Sequence, residues 1–211
     1  MAGSAVRLGL PTHKSLAPTI VNGRLVPLYQ HSLERLRVVT DDIRIVLGPV
    51  QKFDACLQSV PGRRVWKQVQ GELPSSLAAV AVRTSGILAI AFPDSVWWPV
   101  DGFARLLVHM GNHDGVLGLF RGSSLVLDAV EVDATGRVRD ITRHDDPPAP
   151  DETIVGYGAI LARSEALRGL TDGLTLARQL ADMDLVGVNL QGPYFDLGTP
   201  ARYIAHHRLE A

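Results

Sequence analysis

The sequence predicts an α/β fold: a three-layer α/β/α arrangement in which a mixed, mostly parallel central sheet has helices on both faces. Apolar runs bounded by turn residues alternate along the chain with amphipathic stretches. Two of these runs, Ile87–Phe92 and Gly115–Phe120, are apolar on both faces, as the central strands of a buried sheet are. A length of 211 residues is sufficient for one domain with a sizeable core, so we expect a single domain over residues 1–211.

The spacing of apolar residues predicts the elements of the first half of the chain. Leu28, Leu33 and Leu36 recur at helical spacing among charged residues, which predicts a helix over Val26–Val39. The β-branched run Ile43–Leu47 ends at a Gly-Pro dipeptide, which is typical of a short strand. The other predictions are a helix over Phe53–Val60, a strand over Val65–Val69, a helix over Ser75–Arg83 with Ser75 as its N-cap, and a strand over Ile87–Phe92.

The second half of the chain continues the same alternation. The turn residues Asp133–Gly136 predict a hairpin in which Val126–Val132 pairs with Arg137–Thr142. The stretch Arg143–Glu152 holds three prolines and four acids, which predicts a polar loop. The remaining predictions are helices over Pro99–Met110, Ser164–Leu170 and Leu174–Met183, strands over Gly115–Phe120, Ile154–Leu161 and Leu185–Leu190, and a loop over Gln191–Pro200.

Charge and cysteine content argue against several classes of protein. Lys plus Arg number 21 against 22 Asp plus Glu, so the chain lacks the basic excess that non-specific nucleic-acid binding requires. No apolar run reaches the length of a membrane span. The single cysteine, Cys56, can form neither an internal disulfide nor a cysteine-based zinc site, so we expect a reducing, cytoplasmic location.

Two acids follow predicted apolar strands. Asp94 follows Ile87–Phe92, and Asp196 follows Leu185–Leu190 across a Gly-Pro-Tyr-Phe connection. Ligands of open α/β sheets bind at the carboxyl ends of strands, and Mg²⁺ binds through one or two carboxylates together with substrate phosphates. The two acids are therefore candidate ligands of one Mg²⁺ ion. The alternative is that Asp94 caps the helix after it and Asp196 caps a helix over Pro200–His207, which for either acid alone is the simpler interpretation.

The N-terminal segment offers candidate phosphate ligands. Small residues let backbone N–H groups approach phosphate oxygens, and arginine adds a fixed charge. A flexible terminus explains the small residues equally well. The candidates are Ala2, Gly3, Ser4 and Ala5, with the cations Arg7 and Lys14.

The order of motifs resembles one enzyme family. Ala-Gly-Ser-Ala-Val-Arg-Leu at 2–8, the segment Lys14–Pro18, and Pro27-Leu28 ahead of His31 are similar to the opening of the sugar-phosphate nucleotidylyltransferases. Phe92-Pro93-Asp94 resembles that family's metal-binding acid after a core strand, and Tyr-Phe-Asp-Leu-Gly-Thr-Pro at 194–200 resembles its W-F-D-x-G-T-P signature. Within that family, the chain resembles the glucose-1-phosphate thymidylyl- and uridylyltransferases. The family's usual first strand is absent from this numbering before Ala2.

The resemblance implies a nucleotide-diphospho-sugar transferase fold and a group transfer. A sugar 1-phosphate attacks the α-phosphorus of a nucleoside triphosphate, with dTTP or UTP favoured, and gives a nucleotide-sugar and pyrophosphate. Carried over, the backbone of residues 2–5 would cradle the triphosphate, and Arg7 would neutralise the departing pyrophosphate. Lys14 would hold a phosphate oxygen, and Asp94 and Asp196 would hold Mg²⁺.

Four further positions follow from the same resemblance. Gln70 and Ser76 would lie against the nucleotide, whereas Arg143 and Gly156 would bind the sugar and its phosphate. The family's usual Glu-Lys-Pro run is replaced here by residues 141–144, Ile-Thr-Arg-His. Members of the family often self-associate, so the oligomeric state is left open. The alternative function is a catalytically inactive relative that binds a nucleotide or nucleotide-sugar, or regulates a partner.

Overall fold

The computed structural model describes residues 14–21, 23–47, 64–67, 72–123, 128–143 and 153–209. It is an α/β protein with a mixed sheet, as the sequence predicts. The chain divides into two compact units, each described by itself below. The first comprises Met1–Glu72, Phe92–Val96 and Phe195–Ala211, and the second comprises Leu73–Ala91 and Trp97–Tyr194. The prediction of a single domain stays a prediction, because two units of this size can belong to one domain. Within the described ranges, no helix has the length and apolar character needed to cross a bilayer.

The described residues of the first unit form a hairpin, two helices and a pair of parallel strands. The side chains of Tyr29, Leu33, Ile43 and Ile45 form a small buried core, against which Leu16 and Leu36 pack. Its elements are a 3₁₀ turn at Lys14–Leu16, β1 at Pro18–Val21, β2 at Arg24–Pro27, α1 at Leu28–Leu36, β3 at Arg44–Leu47, β4 at Arg64–Lys67, and the last helix of the chain at Pro200–Leu209. β1 pairs antiparallel with β2, and β3 pairs parallel with β4.

The second unit is built on a six-stranded sheet. Its elements are α2 at Leu73–Val82, β5 at Ile87–Ala91, α3 at Gly102–Val108, β7 at Gly115–Ser123, β8 at Asp128–Val132, β9 at Val138–Arg143, β10 at Thr153–Arg163, α4 at Ser164–Leu167, α5 at Leu176–Ala181 and β11 at Leu185–Asn189. The strands lie in the order β11-β7-β10-β8-β9, and β5 also pairs with β10. The strand β7 is buried over Gly115–Phe120, as predicted.

The expectation of a mostly parallel sheet is wrong for this sheet. β11 pairs parallel with β7, whereas the other pairings described in it are antiparallel. The predicted hairpin of β8 and β9 explains part of this difference. The short turn through Asp133 and Gly136 joins these strands, and a turn of that length can connect only antiparallel strands.

Three local predictions need correction. β5 is less buried than a central strand: Ile87 is 39% exposed and the rest of the strand is half-buried. The helix α2 begins at Leu73, so Ser75 lies inside it and is not its N-cap. The helix predicted over Val26–Val39 is confirmed as α1 but starts later, because Val26 belongs to β2. The helix predicted over Phe53–Val60 lies outside the described residues.

Two further short strands, β6 at Ser95–Trp97 and β12 at Tyr194–Asp196, pair with each other, and the sequence had predicted neither. Within the second unit, the buried rings of Trp97 and Tyr194 both pack on Phe120, with centroids 5.6 and 5.1 Å from it. Gly158 makes room for Tyr194, since a methyl group there would lie 2.1 Å from Tyr194 Cε2.

Candidate active site

Asp94 lies in a tight turn of the first unit. The Ser95 N–H donates to the carbonyl of Phe92 over 3.3 Å, which closes the turn around Asp94. The hydroxyl of Ser32, buried on α1, donates to the same Phe92 carbonyl over 2.9 Å. The carbonyl of Asp94 in turn accepts the N–H of Leu197 over 2.9 Å. These bonds join the turn both to α1 and to the segment that carries Asp196.

The carboxylates of Asp94 and Asp196 approach each other beside Gly198. A methyl group on Gly198 would lie 2.9 Å from Asp196 Oδ1 and 3.5 Å from Asp94 Oδ2, so both oxygens face the same small space. Asp196 Oδ1 accepts the backbone N–H of Gly198 over 2.8 Å. Arg202 donates from its guanidinium to Asp196 Oδ2, and both side chains are largely buried.

Neither acid caps a helix, so the alternative interpretation of both is wrong. Asp94 is followed by the strand β6, and the next helix, α3, begins only at Gly102. Asp196 lies four residues before the last helix, which we now call α6, at Pro200–Leu209. The hydroxyl of Thr199 precedes α6 and accepts the N–H of Arg202 over 3.5 Å, which is the position of an N-cap.

The helix α6 also contacts the segment that follows Lys14. The hydroxyl of Tyr203 donates to the carbonyl of Pro18 in β1, and partial burial raises the pKa of this phenol, so it remains a donor at neutral pH. One turn further along the helix, the ring of His206 packs on Phe195 with centroids 4.8 Å apart. One helix thus contacts both the acid pair and the strand after Lys14.

The structure places the remaining candidates as follows. Ser76 is buried in α2, and Gly156 is buried in β10, where it lies opposite Phe120 of β7. Their substrate contacts stay predictions. Lys14 lies in the 3₁₀ turn and Arg143 ends β9, and only their backbones are described. Ala2, Gly3, Ser4, Ala5, Arg7 and Gln70 lie outside the described residues.

Two residues of the site were missed by sequence reasoning. Gly198 leaves open the space that the carboxylates share, and Arg202 pairs with one of them. The glycine of the Asp-Leu-Gly-Thr-Pro run was the available signal for Gly198. Arg202 gave no such signal, because its partner depends on how α6 is oriented.

The donor atoms of this site suit a hard cation. Carboxylate oxygens are the protein ligands that Mg²⁺ uses, and it commonly takes one or two of them while water and substrate phosphates complete the octahedron. Asp94 and Asp196 supply two carboxylates. In the part of the chain that the structure describes, no group of three or more His, Cys, Asp or Glu residues could hold a metal ion. Two carboxylates fit a Mg²⁺ ion whose other ligands are water and phosphate oxygens.

The fold is that of the sugar nucleotidylyltransferases, which confirms the resemblance seen in the sequence at the level of the fold. No protein-family model and no curated protein sequence matches the chain. The likeness is therefore carried by three-dimensional structure.

Three solved structures illustrate this likeness. A Bacillus anthracis protein provisionally assigned as a glucose-1-phosphate thymidylyltransferase, solved with sucrose, superposes with a TM-score of 0.77 at 15% identity, over 99% of this chain and 92% of that one. HddC from Yersinia pseudotuberculosis superposes with a TM-score of 0.74 at 10% identity, over 100% of this chain and 96% of that one. A UDP-glucose pyrophosphorylase in complex with UDP-glucose superposes with a TM-score of 0.73 at 17% identity, over 99% of this chain and 95% of that one.

Proposed function

We propose that this chain transfers a nucleotidyl group from a nucleoside triphosphate to a sugar 1-phosphate. An oxygen of the sugar phosphate attacks the α-phosphorus, the bond from that phosphorus to the oxygen bridging to the β-phosphate breaks, and pyrophosphate leaves with the electron pair. The observation that carries the proposal is the convergence of Asp94 and Asp196 beside Gly198. The fold supports it, since similar structures are described as a thymidylyltransferase and as a pyrophosphorylase with UDP-glucose bound.

The residues act by positioning and by neutralising charge, without a covalent intermediate. Asp94 and Asp196 would hold Mg²⁺, which when bound supplies positive charge to the phosphate oxygens. The backbone of residues 2–5 cradles the triphosphate. Arg7 pairs with the departing pyrophosphate, and Lys14 holds a phosphate oxygen near the reacting centre.

Substrate selection rests on a second group of residues. Gln70 and Ser76 contact the nucleotide, for which we favour dTTP or UTP, because the similar structures include a thymidylyltransferase and a protein bound to UDP-glucose. Gly156 permits close approach of the sugar, and Arg143 pairs with its phosphate. We place the reaction in the cytoplasm, in keeping with a single cysteine.

The test is a screen of four nucleoside triphosphates against a panel of sugar 1-phosphates for pyrophosphate release, with Mg²⁺ or with a chelator. One pair should give release that requires Mg²⁺, and Asp94→Asn should reduce that rate about 100-fold or more, since it replaces a charged carboxylate ligand by a neutral amide. Asp41→Asn is the matched control, because Asp41 is exposed in the same unit. If Asp94→Asn retains the wild-type rate, the proposed site is wrong.

One observation favours the second candidate, a catalytically inactive nucleotide-binding relative. Arg202 already pairs with Asp196, so a positive group is present where the metal would bind. Thermal unfolding with triphosphates separates the two candidates, because a ligand that binds the native state raises the melting temperature. An increase that requires Mg²⁺ supports the metal-dependent site. An increase without Mg²⁺ and without pyrophosphate release supports the inactive relative.

A further inference from the structure

Arg202 occupies an unfavourable place in its helix. It lies in the first turn of α6, which contains no acidic residue. The positive end of a helix dipole is there, and it disfavours a cation. The side chain of Arg202 is also only 25% exposed, so burial adds to this cost. A compensating interaction is therefore required, and the carboxylate of Asp196, itself 21% exposed, supplies it.

The bond from Arg202 engages the acid that the proposed metal would use. Asp196 accepts the Gly198 N–H at Oδ1 and the Arg202 guanidinium at Oδ2. A methyl group on Gly198 would lie 3.5 Å from Asp94 Oδ2 and 2.9 Å from Asp196 Oδ1, so the two acids share one space. A divalent cation in this space would meet a neighbouring unit positive charge, and the two cations repel each other strongly at such short range.

We propose that Arg202 is a built-in counter-ion of the acid pair, which competes with a divalent cation for Asp196 and so weakens binding of the metal by itself. This inference rests on the proposed function, because it takes Asp94 and Asp196 as metal ligands. A metal that arrives with a triphosphate carries negative phosphate oxygens, and these give the displaced guanidinium a new partner. The site thereby discriminates against the free metal in favour of the metal–nucleotide complex.

The test measures Mn²⁺ binding, with no nucleotide present, by electron paramagnetic resonance of the free ion. Arg202→Gln removes the positive charge and should lower the Mn²⁺ dissociation constant about tenfold. The reason is that one unit charge close to the divalent ion no longer repels it. If the Arg202→Gln variant does not unfold cooperatively, Arg202→Met takes its place, because it also removes the charge. Arg202→Lys retains a charge and should stay within about threefold of wild type. Arg24→Gln, an exposed position in β2, makes the same change of net charge in the same unit and should leave binding unchanged.

The outcomes distinguish the inference from the function on which it rests. If Mn²⁺ binds to the wild type and Asp196→Asn abolishes that binding, but Arg202→Gln binds no more tightly, the inference about Arg202 is overturned and the metal site stands. Weaker binding by Arg202→Gln overturns the inference as well, since Arg202 would then orient the acid for the metal. If neither wild type nor Arg202→Gln binds Mn²⁺, or if Asp196→Asn binds it as well as wild type, both the metal site and the inference fail.

Discussion

Replacement of Gly198 by alanine should damage the acid pair while the fold remains intact. The new methyl group would lie 2.9 Å from Asp196 Oδ1 and 3.5 Å from Asp94 Oδ2. The first distance is shorter than an ordinary carbon–oxygen contact, so Asp196 must move by a few tenths of an ångström. Asp196 is also held by the Gly198 N–H over 2.8 Å, and that hydrogen bond lengthens when the carboxylate moves.

The two effects on stability have opposite signs. A weakened hydrogen bond to a charged group costs up to about 1.5 kcal/mol, whereas alanine in place of glycine gains about 0.4–1 kcal/mol through the unfolded chain. The free energy of unfolding should therefore change by less than about 1 kcal/mol. The effect on the rate of the reaction should be larger than the effect on stability. Since a misplacement of about 1 Å can cost about 100-fold in rate, a shift of a few tenths should reduce kcat/KM for pyrophosphate release about tenfold.

Gly169→Ala provides the matched control, because no atom lies within 4 Å of a methyl group at that exposed position. The two variants are compared by urea unfolding, by Mn²⁺ binding and by pyrophosphate release. The reasoning predicts similar unfolding free energies for both, with Mn²⁺ binding and turnover reduced only in Gly198→Ala. Wild-type metal binding and turnover in Gly198→Ala would refute it, as would a loss of stability of several kcal/mol, which would make Gly198 a structural residue.

Two further predictions concern tyrosine hydroxyl groups. Tyr203→Phe removes the hydrogen bond to the Pro18 carbonyl and should lower the free energy of unfolding by about 1 kcal/mol in urea titrations; an unchanged value would show that this bond contributes nothing. Burial, and next the charge of Asp128, raise the pKa of Tyr157 well above its usual value near 10. The unfolded chain ionises this phenol first, so stability is fully present below pH 10 and falls as the pH rises above it. Tyr157→Phe should flatten the decline of unfolding free energy between pH 9 and 11, and equal slopes in both proteins would contradict this.

The periodicity of apolar residues predicted the helices and strands well, but it predicted the direction in which the strands pair less well. The apolar run of β7 could be recognised because a strand buried on both faces needs apolar side chains at every position. The direction in which β10 pairs with its neighbours could not be predicted, since that direction depends on the connections between the strands. The hairpin of β1 and β2 was missed although Asn22-Gly23 is a strong hairpin signal, because the helical spacing of leucines was extended back to Val26.

The candidate site was predictable where a residue type and its place in a motif carry the chemistry. Asp94 and Asp196 were selected in this way, and the structure brings their oxygens together. The ion pair of Asp196 with Arg202 was not predictable, because it depends on the path of the turn through Gly198 into α6. No local pattern encodes which side chain of a helix's first turn will face an acid six residues earlier.

The most direct test of the account is a crystal soaked with Mn²⁺ and the triphosphate selected by the screen, measured at the manganese absorption edge. We predict an anomalous difference peak within bonding distance of carboxylate oxygens from both Asp94 and Asp196, beside Gly198. A peak bound elsewhere, or the two carboxylates pointing into separate spaces with no ion between them, would contradict it.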